Sequence, residues 1–162
     1  MKLSSLLFAP FLVLACSSDD AGCPADGECS SAVSGRLTTS ISAAEMGAAT
    51  VQGCVKIKDG ATKNCSKGVS GTVPTGADPI TFVLDGAIPA TAYLTKSGNK
   101  FEVQVTFSVE SQSPTNGDEF SIELLDPSGA SIEVLSRVVT YATVTPNGPG
   151  CLPTCASASF AE

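Results

Sequence analysis

Carboxylates and cysteines are the side chains in this sequence whose number and spacing could support chemistry. The chain has 16 acidic residues and 7 cysteines but no histidine, which excludes a Ser-His-acid triad, a Cys-His pair and a histidine-bound metal. Paired carboxylates could still hydrolyse glycosides if two of them faced each other across a cleft. Glu102 and Glu110 are predicted to lie on the solvated face of a strand instead, so a hydrolase without histidine stays an alternative function.

One acidic segment has the composition of a calcium loop. Asn116-Gly117-Asp118-Glu119, together with Asp126, could place several oxygens around a turn, and calcium takes oxygen ligands. No Asp-x-Asp-x-Asp run accompanies these residues, so an acidic turn is the preferred interpretation. Asp118, Glu119 and Asp126 are kept as calcium candidates, and no cofactor is expected.

The string Ser97-Gly98-Asn99-Lys100 matches the S-x-x-K motif of penicillin-recognising enzymes. That chemistry needs the serine and the lysine one turn apart on a helix. Ser97-Gly98-Asn99 is typical of a turn between two strands. We therefore interpret the motif as a hairpin turn.

Six cysteines follow Cys16, and an even number suits three disulfides in an oxidising compartment. Cys54 and Cys65 flank a segment with the turn signal Asp59-Gly60, so a hairpin there would bring the two sulfurs together. Sequence alone does not fix the other pairs, and the short loop staples Cys23 with Cys29 and Cys151 with Cys155 are favoured. Their spacing lacks the two-residue knuckles of a zinc site. The six candidates are Cys23, Cys29, Cys54, Cys65, Cys151 and Cys155.

The N-terminus has the pattern of an export signal. Met1-Lys2 supplies a positive charge, and an apolar run follows over residues 6–14. A transmembrane helix needs about 20 apolar residues, whereas a secretory signal needs a run of about 7 to 15 before a small-residue cleavage site. The sequence therefore predicts a cleaved signal peptide over residues 1–15.

The apolar run ends Val13-Leu14-Ala15-Cys16, which resembles the lipobox of bacterial prolipoproteins. The resemblance implies cleavage before Cys16 and a diacylglycerol on its sulfur, with palmitate-like acyl chains as the membrane anchor. Ser17 stands where an aspartate would resemble an inner-membrane retention signal. An envelope location is expected, at the outer membrane or cell surface rather than the inner membrane.

We expect three parts in the chain: a signal peptide 1–15, a lipidated flexible tether 16–35 and one domain 36–162. The tether segment is rich in Ser, Asp, Gly and Ala. The formal charge of the whole chain is -7, and without a basic stripe this argues against binding nucleic acid. The expected partners are the membrane, through Cys16, and an envelope or extracellular protein or glycan.

Apolar and polar residues alternate with a period of two in the predicted domain. The clearest strand is 100–110, which places Phe101, Val103, Val105, Phe107 and Val109 on one face. Residues 91–96 are predicted to form its hairpin partner, and a turn at Asp126-Pro127-Ser128-Gly129 separates two further strands. The remaining strand candidates are 36–41, 51–58, 71–73, 80–84, 120–124, 132–135 and 137–145, with a helical turn or two over 42–49.

About seven to nine short strands of this kind predict an all-β, antiparallel, disulfide-stapled sandwich, immunoglobulin-like or fibronectin-like. A small β-barrel or jelly roll is the alternative. The expected function is a non-enzymatic structural or interaction module, and a glycan-binding or adhesive module, with or without calcium, is an alternative. Phe101, Phe107 and Phe120 are predicted to be core residues rather than sugar platforms. Free strand edges could recruit partners by strand addition, although sequence does not locate them.

Overall fold

The computed structural model describes residues 29–76, 78–110, 113–148 and 153–162. Cys16, Cys23, Cys151 and the expected signal peptide lie outside these ranges. The described residues form ten strands and one short helix, which confirms the all-β prediction. In chain order they are β1 (Ala32–Thr39), α1 (Ala43–Ala48), β2 (Thr50–Lys56), β3 (Lys63–Val69), β4 (Ile80–Gly86), β5 (Ala90–Ser97), β6 (Lys100–Ser108), β7 (Glu119–Leu125), β8 (Ser131–Val138), β9 (Ala142–Val144) and β10 (Cys155–Ala161).

The strands follow the order β8-β7-β2-β3-β4-β5-β6-β1-β10-β9. Only two residue pairs, Ser66 with Gly86 and Lys67 with Asp85, connect β3 to β4. The sheet folds over at this narrow junction, so that four strands (β8, β7, β2, β3) face the other six across one core. The architecture is therefore sandwich-like, as predicted.

A glycine lets the two layers approach closely. The ring of Phe107 in β6 lies against Gly53 in β2, where a Cβ atom would come within 2.7 Å of the ring. The same ring meets Phe120 of β7 edge to face, with centroids 5.2 Å apart. Phe101, Phe107 and Phe120 are all buried, which confirms their prediction as core residues.

One pairing departs from the predicted antiparallel arrangement. β1 lies between β6 and β10, and its pairing with β10 is parallel, with Ala32 opposite Ser157. Neither β10 nor β3 was predicted, because their sequences are rich in small and polar residues and show no clear alternation. Residues 71–73, predicted as a strand, lie outside any strand. β1 begins at Ala32, so the sandwich starts inside the segment expected to be a tether.

The helix α1 has about one and a half turns and a capped N-terminus, and it lies within the predicted range 42–49. Ser42 Oγ accepts a hydrogen bond from the Glu45 backbone nitrogen at 3.2 Å, and Glu45 Oε2 accepts one from the Ser42 nitrogen at 2.8 Å. This capping box satisfies donors that a helix start leaves unpaired. Met46 is buried and anchors the helix to the core. None of the helices in the described ranges is long and apolar enough to cross a membrane.

Candidate functional site

The first predicted disulfide is present. Cys54 and Cys65 face each other in register on β2 and β3, with their Cα atoms 4.1 Å apart. The hairpin expected from Asp59-Gly60 brings them together, and Gly60 closes the turn by donating to the Ile57 carbonyl at 2.8 Å. This bond links neighbouring strands rather than the two layers, as the sequence predicted.

The other described disulfide corrects the favoured local pairs. Cys29 bonds to Cys155, 126 residues away, which rules out both the Cys23–Cys29 staple and the Cys151–Cys155 staple. Parallel strands begin at the same edge of a sheet, so Cys29, just before β1, meets Cys155, the first residue of β10. No pattern in the sequence predicts this parallel pair.

Asp118, a calcium candidate, is a buried carboxylate that fastens three loops. Its Oδ1 accepts from the Lys58 nitrogen at 3.0 Å, and its Oδ2 accepts from the Thr115 nitrogen at 3.0 Å and from the Tyr141 hydroxyl at 3.1 Å. Only 1 % of its surface is exposed. A buried carboxylate is stable when donors surround it in this way. We call Asp118 and these three partners the loop clasp.

Tyr141 closes the clasp from the segment between β8 and β9. Its backbone nitrogen donates to Asn116 Oδ1 at 2.8 Å, while its hydroxyl donates to Asp118. Burial raises the pKa of Tyr141 well above its ordinary 10.0, and the charge and hydrogen bond of Asp118 act in the same direction. The phenol is thus held as a proton donor, not as a phenolate.

The other two calcium candidates lie apart and have partners of their own. Glu119 Oε1 accepts from the Ser136 hydroxyl at 2.6 Å. Asp126, at the far end of β7, accepts on Oδ1 from Ser128 Oγ at 2.6 Å, the Ser128 nitrogen at 2.8 Å and the Ala130 nitrogen at 2.9 Å. The Ser128 hydroxyl contributes most to lowering the pKa of Asp126 below its ordinary 3.8, followed by the Ala130 amide.

The structure therefore does not assemble the calcium set proposed from the sequence. Asp118 and Asp126 flank β7 at opposite ends. Within the described ranges, no three Asp, Glu, Cys or His side chains gather into a group that could hold a metal ion. These acids are close in sequence, but the extended strand β7 separates Asp118 from Asp126 in the fold.

The remaining sequence candidates for catalysis are the S-x-x-K string, Glu102 and Glu110. Glu110 is exposed just beyond the end of β6. Ser97 pairs with Lys100 across the β5–β6 hairpin, and Gly98 adopts φ +60° at its turn, so the S-x-x-K string is the predicted turn. Glu102 forms an ion pair with Arg36 of β1, at 3.3 Å between Oε1 and Nε. Both residues of that pair are at least one-third exposed, which is typical of a solvated strand face.

An open cleft of about 600 Å³ lies between β3, β4 and the β7–β8 turn. Its walls include Lys67 and Asp85, which face each other in register, and the exposed valines Val69 and Val83. The buried carboxylate of Asp118 does not line it. Nothing in this lining singles out a reacting group.

Strand β8 differs from the prediction in its bounds, and it carries exposed apolar side chains. Among the described strands it has a neighbour on one side only, β7. The side chains of Ile132, Val134 and Val138 are exposed. The sequence predicted strands over 132–135 and 137–145, whereas β8 runs from Ser131 to Val138 and β9 covers Ala142–Val144. Leu135 is the buried residue of β8. The signal that could have flagged the edge is the presence of apolar residues in both alternating sets.

Every aromatic side chain in the described ranges is buried or half-buried. Phe82, Tyr141 and Phe160 are half-buried and pack against the core, and Phe160 also lies 6.4 Å from Phe120. These rings support the fold rather than forming a platform at the surface. The chain matches no protein-family model, no curated protein and no solved structure.

Proposed function

We propose that this chain is a lipid-anchored lipoprotein of the cell envelope, held at the outer membrane or cell surface through Cys16. Its β-sandwich is a non-enzymatic structural or interaction module. The lipobox-like segment Val13-Leu14-Ala15-Cys16 supports the anchor, and the two disulfides fit a chain that folds in an oxidising compartment.

The Cys29–Cys155 bond is the observation that carries the proposal. A domain tethered by its N-terminus bears any pull at the first residues of the fold. Here Cys29 is bonded to β10, and β1 just after it is paired on both sides, with β6 and with β10. A pull on the tether therefore acts on the interior of a sheet and not on a strand that can peel away.

The hydrogen bonds of the acidic side chains support a structural role for these residues rather than a catalytic one. The carboxylates of Asp118, Glu119 and Asp126 accept hydrogen bonds from donors of their own chain, which link loops and strand ends. No specific observation favours the glycan-binding module or the hydrolase, so neither is proposed.

Metabolic labelling with an alkyne analogue of palmitate tests the anchor in the native host. The wild-type chain should carry the label and stay with the membranes after a carbonate wash. Cys16→Ser should lose the label, because the acylated sulfur is gone. Ser17→Ala, next to the site, is the matched control and should behave as wild type. An unlabelled wild-type chain, or a Cys16→Ser chain that is still labelled, would contradict the proposal.

A further inference from the structure

The free edge of β8 offers backbone hydrogen-bonding groups. In an antiparallel ladder, successive residues point their N–H and C=O groups alternately toward and away from the neighbouring strand. Val139, just after β8, faces β7: its nitrogen donates to the Asp118 carbonyl at 2.9 Å, and its carbonyl accepts from the Gly117 nitrogen at 3.0 Å. The ladder between β7 and β8 is regular back to Glu133, which lies opposite Leu124. Counting back from Val139 over this part, the outward-pointing backbone groups belong to Val134, Ser136 and Val138.

This edge is also apolar and exposed. Val134 is 56 % exposed, Val138 68 % and Ile132 39 %, and β8 contains no proline. Long apolar edges tend to pair with another strand unless charges or irregularities block them. The register of β8 with β7 shifts only at the start of β8, between Leu124 and Leu125 of β7, and is regular from Glu133 to Val138. Within this regular part, Glu133 and Arg137 are the charged residues that select a partner.

We propose that β8 pairs with β8 of a second copy of this chain, antiparallel and about a twofold axis at Leu135. In this register Glu133 of each copy lies opposite Arg137 of the other, so that two ion pairs form across the junction. The surface is thus complementary to itself, as a twofold interface requires.

The other registers open to β8 lack this match. Outward-pointing groups must meet outward-pointing groups, so the axis must lie at a residue, and the nearest alternatives to Leu135 are Val134 and Ser136. An axis at Val134 places Glu133 opposite Leu135, and an axis at Ser136 places it opposite Val139. Each leaves both charged residues facing uncharged ones, so charge complementarity selects the Leu135 axis.

On pairing, the Ser136 carbonyl exchanges its hydrogen bond from Arg137 for one from the second copy. Arg137 Nη1 donates to the Ser136 carbonyl, an outward-pointing group, at 2.8 Å. In the paired strands that carbonyl accepts from the Val134 nitrogen of the second copy, which frees the guanidinium to bind Glu133. The Glu133 carboxylate has no hydrogen-bond or ion-pair partner within the described part of the single chain.

The apolar side chains also meet in this register. Val138 of one copy lies diagonally across from Val134 of the other, on the same face of the extended sheet. Pairing therefore covers the two most exposed apolar side chains of β8.

Sedimentation equilibrium on the purified full chain in detergent tests the pairing, and it does not depend on the proposed function. We expect a dimer at about 0.1 mM. Glu133→Arg should raise the dimer dissociation constant about tenfold, because each of two ion pairs becomes a repulsion. The double variant Glu133→Arg/Arg137→Glu should return it to within about threefold of wild type, because the pairs are restored with their charges exchanged.

A matched control and a backbone variant complete the test. Glu102→Arg makes the same charge change at the intrachain pair with Arg36 and should leave the dissociation constant unchanged. Val134→Pro removes an outward-pointing N–H without touching the ladder to β7, and should abolish the dimer. Circular dichroism confirms that each variant is folded. A monomeric wild-type chain, or a dimer indifferent to the Glu133 and Arg137 exchange, would overturn the proposal.

Discussion

At the scale of single residues, the loop clasp shows how a charged group can hold a fold together. Asp118 is buried, yet each of its two carboxylate oxygens has donors from elsewhere in the chain. Lys58, Thr115 and Tyr141 come from three separate connections between strands. Removing one donor leaves part of a buried charge without compensation, which costs more than the hydrogen bond itself contributes.

The Tyr141 hydroxyl offers the cleanest test of the clasp. Tyr141→Phe should lower the free energy of unfolding by about 2 kcal/mol at neutral pH, because it removes one hydrogen bond to a buried carboxylate. Tyr93→Phe, at a half-buried tyrosine with no hydrogen-bond partner in the described ranges, is the control. Urea unfolding followed by circular dichroism measures both, and equal effects would contradict the role given to Tyr141.

The same pair of chains should show a defined pH dependence. The pKa of Tyr141 is higher in the folded chain than its ordinary 10.0, so the folded state keeps a proton that the unfolded state loses. The contribution of the phenol is therefore complete below about pH 10 and is lost as the pH rises beyond it. The stability difference between wild type and Tyr141→Phe should shrink over that interval, and a difference that grows there would contradict this assignment.

Sequence could identify the acidic residues but not their partners. Asp118 stands out in Asn116-Gly117-Asp118-Glu119, and a calcium loop and an acidic turn both fit that string. Its actual donors lie at positions 58, 115 and 141. Two of these three are remote in sequence, so only the folded arrangement of strands distinguishes a structural carboxylate from a metal ligand.

At the scale of elements, the distance between the layers depends on Gly53. Two of the predicted strands, around β5 and β6, alternate clearly because each has one buried face and one that is half-buried or exposed. The sequence of β7 alternates too, although its polar Ser121 is also buried. β2 differs, since Gly53 sits in its buried set without a side chain and lets Phe107 fill the space. Because a side chain of one layer fills the space left by a glycine of the other, the sequence of either strand alone does not predict this contact.

Gly53→Ala should therefore lower the free energy of unfolding by about 2 kcal/mol, because the added methyl would overlap the buried ring of Phe107. Gly76→Ala is the matched control, as nothing lies within 4 Å of a Cβ at Gly76. Thermal and urea unfolding of the two variants measure the difference. If Gly53→Ala were as stable as Gly76→Ala, the close approach of β2 and β6 would be wrong.

At the scale of the whole molecule, the ends of the fold are joined. β1 and β10 are far apart in sequence but lie side by side, and the Cys29–Cys155 bond closes a loop of 126 residues. By loop entropy such a bond stabilises the fold by about 5 kcal/mol, against about 3 kcal/mol for the 11-residue separation of Cys54 and Cys65. The local pair was predictable from its hairpin turn. The long-range pair depends on a parallel strand contact, which alternation does not reveal.

Peptide mapping without reduction checks this closure. The native chain should yield a Cys29–Cys155 peptide and a Cys54–Cys65 peptide, and no Cys151–Cys155 peptide. Of the six cysteines after Cys16, these bonds leave Cys23 and Cys151, which precede the bonded Cys29 and Cys155 by a few residues each.

We predict that Cys23 and Cys151 pair with each other, because an even remainder oxidises in an exported chain and their neighbours are already bonded. Reduction should then raise the intact mass by about 6 Da, two hydrogens for each of three disulfides. A rise of about 4 Da with Cys23 and Cys151 open to alkylation would contradict the third bond but leave the other two intact. A Cys151–Cys155 peptide would instead contradict the closure of β1 onto β10, and with it the mechanical argument for a domain held by its N-terminus.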